Sequence, residues 1–288
     1  MKDRIDRQIV ERAEWLDRQS LHVRALRGML HGLLSYERTM DLAQEMDDWS
    51  GHAIMSRMGR MLVHDVEITG LDRIPRQGPA MIVANHPTGI ADGIVLYHLL
   101  SSIRPDLYFY ANTDIIRVVP QLDQMIAPVE WRPDKRTHAK TRETMAFTRK
   151  AMEAGRLGII FPAGRLAKRR GLRLFERDWM PSAAMIARKF SVPVIPINIR
   201  ARNSVLFYLF DAIHPSLRDI TLFHETLNKA RQPFRISVGE PISPSALPDH
   251  SEKSIELLRR ATLALGGRHA PSVSLVDSTR KPIWSLRD

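Results

Sequence analysis

Three short, almost uninterrupted apolar runs constrain this chain more than any other feature: Ala80-Met81-Ile82-Val83-Ala84, Leu157 to Phe161, and Pro193 to Ile199. Each is too short for a helix buried all round, and each is bounded by turn residues, as strands covered on both faces are. Val66 to Gly70, Leu107 to Ala111 and Phe234 to Gly239 read as further strands. Between them, Gly93 to Ser101, Ala139 to Ala154, Pro181 to Phe190 and Ser251 to Leu265 read as helices, the last opened by a serine cap. This alternation predicts an α/β fold, a largely parallel mixed sheet flanked by helices. The stretch after Gly267 reads as a loosely attached tail, which makes 63–288 one unit.

Residues 1–62 have a different texture. They contain no proline, and their apolar residues recur at helical spacing, which predicts an N-terminal helical segment. Within it, Trp49, Ile54, Met55, Met58, Met61 and Leu62 form an apolar stripe interleaved with Arg57 and Arg60. Such a stripe either lies in a lipid interface or packs on a core.

Composition narrows the chemistry. The chain has no cysteine, which removes disulfides, thiolate nucleophiles and Cys-ligated metals and fits a reducing cytoplasm. Lys and Arg number 43 against 32 Asp and Glu, a formal charge of +11 that points to an anionic partner. With aromatics at only 7% and no zinc-finger or RNA-recognition signature, a membrane surface or anionic substrate is favoured over nucleic acid. The first sixteen residues lack an apolar signal-peptide core. No stretch reaches the roughly eighteen apolar residues of a spanning helix. Membrane contact is therefore expected to be peripheral, on the cytoplasmic side. The eleven histidines show no convincing zinc-ligand spacing. A Gly-x-Ser-x-Gly elbow for a serine hydrolase is also missing.

The sharpest local feature is Asn85-His86-Pro87-Thr88-Gly89-Ile90-Ala91-Asp92-Gly93, placed between the strand at 80–84 and a helix beginning near Gly93. Reactive groups in α/β sheets collect at the carboxyl ends of strands. Pro87 and Gly89 oppose regular helix, so the chain must bend, and the bend can return Asp92 to His86. A carboxylate there would fix the imidazole tautomer and leave the other nitrogen to accept a proton. The alternative is plain capping, with His86 in a turn and Asp92 at the helix start. A second feature, Phe161-Pro162-Ala163-Gly164-Arg165, also ends an apolar strand. Its turn amides and the forked donor of Arg165 suit an anion, unless the Arg- and Lys-rich stretch to Arg173 is simply a solvated loop.

In this order, Asn85-His86 with Asp92, Phe161 to Arg165, and Val192-Pro193-Val194-Ile195-Pro196-Ile197 resemble the lysophospholipid acyltransferase superfamily. Its best-known member is the 1-acylglycerol-3-phosphate acyltransferase. The resemblance covers residues from about 63 to 243. Two departures stand out: five residues separate His86 from Asp92 where four are commonest, and Ala163 replaces the usual Glu. Both resemble the hemolysin-like branch, which includes the ornithine-lipid acyltransferases. The resemblance implies an enzyme that transfers a fatty acyl group from acyl-CoA or acyl carrier protein to a lysophosphatidate or lyso-ornithine lipid. His86 and Asp92 would be catalytic, and Asn85, Gly164, Arg165 and Lys168 would bind substrate. No cofactor or metal would be required. The alternative is a basic module that binds nucleic acid or an anionic membrane without catalysis.

Overall fold

The continuous apolar runs lie where a strand has no solvent face, in the middle of a seven-stranded sheet. The computed structural model describes residues 34–130, 136–229, 232–267, 270 and 272–276, and, before these, residues 4, 7, 11, 22, 28, 30 and 32. Helices α1 (Tyr36–Glu45) and α2 (Gly51–Leu62) lead into β1 (Val66–Thr69), β2 (Ala80–Ala84) and α3 (Ile90–Leu100). Next come β3 (Tyr108–Asn112), the short α4 (Asp114–Val118), β4 (Ile126–Val129), α5 (His138–Glu153) and β5 (Leu157–Ile160). A basic hairpin, β6 (Lys168–Arg170) and β7 (Arg173–Phe175), precedes α6 (Ser182–Lys189) and β8 (Val194–Arg200). The chain continues through α7 (Val205–Ile213), α8 (Pro215–Asn228), β9 (Phe234–Val238), α9 (Ser251–Ala264) and β10 (Ser272–Ser274).

The sheet order is β1-β9-β8-β2-β5-β3-β4. Strands β8, β2, β5, β3 and β4 are parallel, while β9 runs antiparallel to β8 and β1 runs with β9. This is the largely parallel mixed sheet that the alternation predicts. Side chains alternate between its faces, as pleating requires. Ile82, Ala84, Ile195 and Ile197 pack with Leu62, Val95 and Leu100 on one face. Met81, Val83 and Val194 pack with Ala183, Ala187 and Leu258 on the other. Because β8, β2 and β5 are neighbours and parallel, the segments after all three emerge along one edge.

Several expectations change. Of the two alternatives for the stripe from Trp49 to Leu62, its α2 part takes core packing. Ile54, Met55 and Leu62 are buried, and Met58 and Met61 pack against the main core. Gly59 permits this close approach of α2 to α3, since a Cβ there would sit 2.7 Å from His98. The helices expected through residues 1–33 fall almost wholly outside the described residues. Helix α3 starts at Ile90, three residues before Gly93, because Asp92 caps it from within the first turn. Part of the expected tail is fixed: β10 pairs antiparallel with β7 in a second, three-stranded sheet. Residues 277–288 lie outside the described residues. Among the described residues, no helix is long and apolar enough to cross a membrane.

Candidate active site

The site begins where β2 ends. Backbone pairing of β2 with β8 stops at Ala84 and Ile197, and the Asn85 carboxamide then carries the ladder one step further. Its Nδ2 donates to the Ile199 carbonyl at 2.8 Å, and the Ile199 N–H donates to its Oδ1 at 2.7 Å. Asn85 is buried, and its carbonyl oxygen and one N–H serve the fold. Asn85, expected to bind substrate, fixes the strand end from which His86 projects.

His86 Nδ1 lies 3.0 Å from Asp92 Oδ2; the imidazole side chain is 19% exposed and the carboxylate 0%. The contact is ion-pair close without hydrogen-bond alignment, a looseness common before substrate binds. Asp92 is held by more than His86. Its oxygens accept from the Thr88 N–H at 2.9 Å, the Gly89 N–H at 3.0 Å and the Thr88 hydroxyl. Gly89, with φ +93°, supplies a backbone conformation that a side chain would disfavour. The two alternatives for Asp92 thus coexist: one carboxylate caps α3 and faces the imidazole.

The loop after β5 closes on the same histidine. The Phe161 ring stacks on His86 with centroids 4.2 Å apart. The Ala167 N–H donates to the His86 carbonyl at 2.9 Å. Gly164, with φ +60°, makes the turn, and its N–H donates to the Phe161 carbonyl. Pro162 and Ala163 are buried, whereas Gly164, Arg165 and Lys168 face solvent. The apolar strand ends and the basic loop thus meet around one imidazole.

One member of the site has no role in the sequence reading. Glu176 Oε2 accepts the His86 backbone N–H at 3.1 Å, and Oε1 accepts Trp179 Nε1–H at 2.9 Å. Burial pushes its carboxyl up to about 7; these bonds and His86 pull the other way, and the charge of Asp92 adds to the rise. Its sequence signal is faint: it is the first of two carboxylates, Glu176 and Asp178, that follow the basic stretch Arg165 to Arg173. Among the described residues, no three acidic or histidine side chains gather as a metal-ligand set.

With this geometry in place, a family model described as Acyltransferase matches residues 65–200, from just before β1 to the end of β8. Over that span, just under half of its length, the chain is similar to this acyltransferase family. Curated relatives include the lyso-glycine lipid O-acyltransferase of Phocaeicola vulgatus, 25% identical over 62% of this chain and 64% of that protein. The protein of the same name from Bacteroides thetaiotaomicron is 22% identical over 62% of this chain and 65% of its own length. The matches therefore span just under two thirds of these relatives. The crystal structure of the 1-acyl-sn-glycerophosphate acyltransferase of Thermotoga maritima has the same fold, with a TM-score of 0.52 at 14% identity. It covers 86% of this chain and 98% of the Thermotoga chain.

Within this fold, the segment after β8 is held by a buried ionic cluster. Lys229 Nζ donates to Asn203 Oδ1 at 2.6 Å, to the Arg202 carbonyl at 3.2 Å and to Glu225 Oε2 at 3.0 Å. Glu225 in turn accepts the Ser204 N–H and hydroxyl, and Ser204 Oγ caps α7 by accepting the Phe207 N–H. Burial lowers the Lys229 ammonium; Glu225, and the field of Asp92, pull it back. The departure at Ala163 also has a physical setting: its side chain is buried in the apolar cluster with Trp179, where a Glu would lack solvent.

Proposed function

We propose that this chain is an O-acyltransferase acting on a lysolipid with a free hydroxyl, with His86 as the general base. The observation that carries the reading is the 3.0 Å approach of His86 Nδ1 to a fully buried carboxylate, on a ring still partly open to solvent. Nε2 takes the proton from the acceptor hydroxyl as its oxygen attacks the thioester carbon. A tetrahedral intermediate forms, the C–S bond breaks, and the leaving sulfur receives the proton from the imidazolium. Asp92 stabilises the positive charge that passes through the ring. A base so placed contributes roughly 10²–10⁴ in rate. The thioester, from acyl-CoA or acyl carrier protein, brings its own activation, so the step calls for no cofactor.

Gly164, Arg165 and Lys168 are positioned to receive the acceptor's anionic group, a phosphate or an amino-acid carboxylate. The names of the relatives, together with Ala163, support an amino-acid lysolipid such as lyso-glycine or lyso-ornithine lipid ahead of lysophosphatidate. Work would be done peripherally at an anionic leaflet facing the cytoplasm. The test incubates purified protein with labelled acyl-CoA and acyl carrier protein thioester against these three acceptors. Label should enter a diacylated lipid with the wild type and not with His86→Ala. Release of free fatty acid alone, or undiminished transfer by His86→Ala, overturns the reading.

A further inference from the structure

The apolar stripe on α2 packs largely on the core, yet a different one is exposed. On α7, Val205, Leu209 and Ile213 recur every four residues and are 77%, 54% and 62% exposed. Helical geometry puts positions four apart on one face, so these side chains form a single apolar ridge. The opposite side of α7 is anchored: Phe207 and Phe210 are buried, and Ser204 caps the helix through the Glu225–Lys229 cluster. The one charged side chain of α7, Asp211, is ion-paired with Arg218 at 3.2 Å. The ridge is thus rigid, apolar and free of uncompensated negative charge.

Beside it stands the basic hairpin. Tyr208, one residue from Leu209, packs with Leu174, Val273 and Leu275 of the second sheet. That sheet carries Lys168, Arg170 and Arg173, all exposed, and turns at Gly171-Leu172 with Leu172 66% exposed. From Arg165 to Arg173 there are five basic residues and no acidic one. An apolar ridge and an apolar hairpin tip flanked by cations match the two components of an anionic bilayer surface: acyl chains below and phosphates above. Both features connect to the site, the hairpin through the Ala167 N–H on His86 and α7 through β8, whose Ile199 is bonded to the Asn85 carboxamide.

We propose that α7 and the β6–β7 hairpin form the surface by which this protein docks on anionic membranes. The α7 ridge and Leu172 enter the headgroup boundary, and the hairpin cations hold lipid phosphates. This deepens the proposed function and rests on it for the biological reason to dock, but its test is separate. The native chain has no cysteine, so single cysteines can carry an environment-sensitive fluorophore. Leu209→Cys and Leu172→Cys probe the surface. Met185→Cys on α6 is the control: it is 55% exposed, on a helix packed against the other sheet face.

Mixed phosphatidylglycerol and phosphatidylcholine vesicles should shift the Leu209 and Leu172 labels to the blue and leave the Met185 label unchanged, with the shift lost at high salt. Replacing Val205, Leu209 and Ile213 together by Ser should weaken co-sedimentation about tenfold. Circular dichroism is expected to stay native, because all three side chains lie outside the core. A shift at Met185 instead, no shift at either surface site, or undiminished binding by the folded triple variant overturns the proposal. Acyl transfer to a short-chain, water-soluble acceptor tests catalysis alone. The triple variant should retain it, and its absence in the wild type would count against the enzyme reading while leaving the docking result intact.

Discussion

Asp92 serves two structures with one carboxylate, and that shapes what its replacement does. His86→Ala should remove catalysis by roughly 10²–10⁴ with little change in melting temperature, because the imidazole packs on Phe161 near the surface. Asp92→Asn should lose rate and also stability, by about 1 kcal/mol, since it disturbs the N-cap bonds to Thr88 and Gly89. Turnover and urea denaturation, measured on the same preparations, separate the two losses. At Arg165, Lys supplies a point charge for a fork, so Arg165→Lys should raise the acceptor KM more than the donor KM. Glu176 predicts a pH effect. Its carboxyl is raised by burial to about 7, so the native state holds a proton that the unfolded chain has already released. Its contribution to stability is therefore full below the ordinary carboxylate pKa and lost as pH rises toward about 7. Glu176→Gln should flatten the decline of the urea midpoint across that window. His86 and Asp92 are legible in sequence because Pro87 and Gly89 force a local bend between them. Asn85 is not, because its partner Ile199 is 114 positions away.

At the scale of elements, hydrophobic period reveals the large pieces and hides the small ones. The centre of the sheet is legible since β2, β5 and β8 are apolar throughout, and their parallel order puts the two motif loops on one edge. The three-residue strands β6, β7 and β10 carry too few side chains for a pattern, and Lys168 to Arg170 looks like solvated loop. The α2 stripe has the period of a membrane-facing helix and of a core helix alike; only the presence of α3 beneath it decides. Ionic clusters are equally silent in sequence. Lys229 and Glu225 are four apart, as many solvent-exposed helical pairs are, yet both are buried. Removing one partner from such a pair leaves an uncompensated charge, so Lys229→Met should destabilise by about 3–5 kcal/mol. The double change of Lys229→Met with Glu225→Leu should recover part of this, as read by chemical denaturation.

Across the whole molecule, the division at residue 62 does not separate two cores. Met55 and Leu62 share one apolar cluster with Ile82, Leu96 and Ile197. Removing residues 1–62 should therefore yield an insoluble or unfolded product, seen as lost helical signal, instead of a folded domain that merely fails to meet lipid. The clamp at Asn85 has a further consequence, in time instead of space. His86 is positioned by contacts with residues as distant as Phe161, Ala167 and Glu176, and its strand end by Ile199. Contacts so far apart along the chain close late during folding, after helices have formed and loop entropy has been overcome. On dilution from urea, the far-UV signal should return first and acyl transfer last. For an interval the protein will hold nearly all of its secondary structure and almost none of its chemistry.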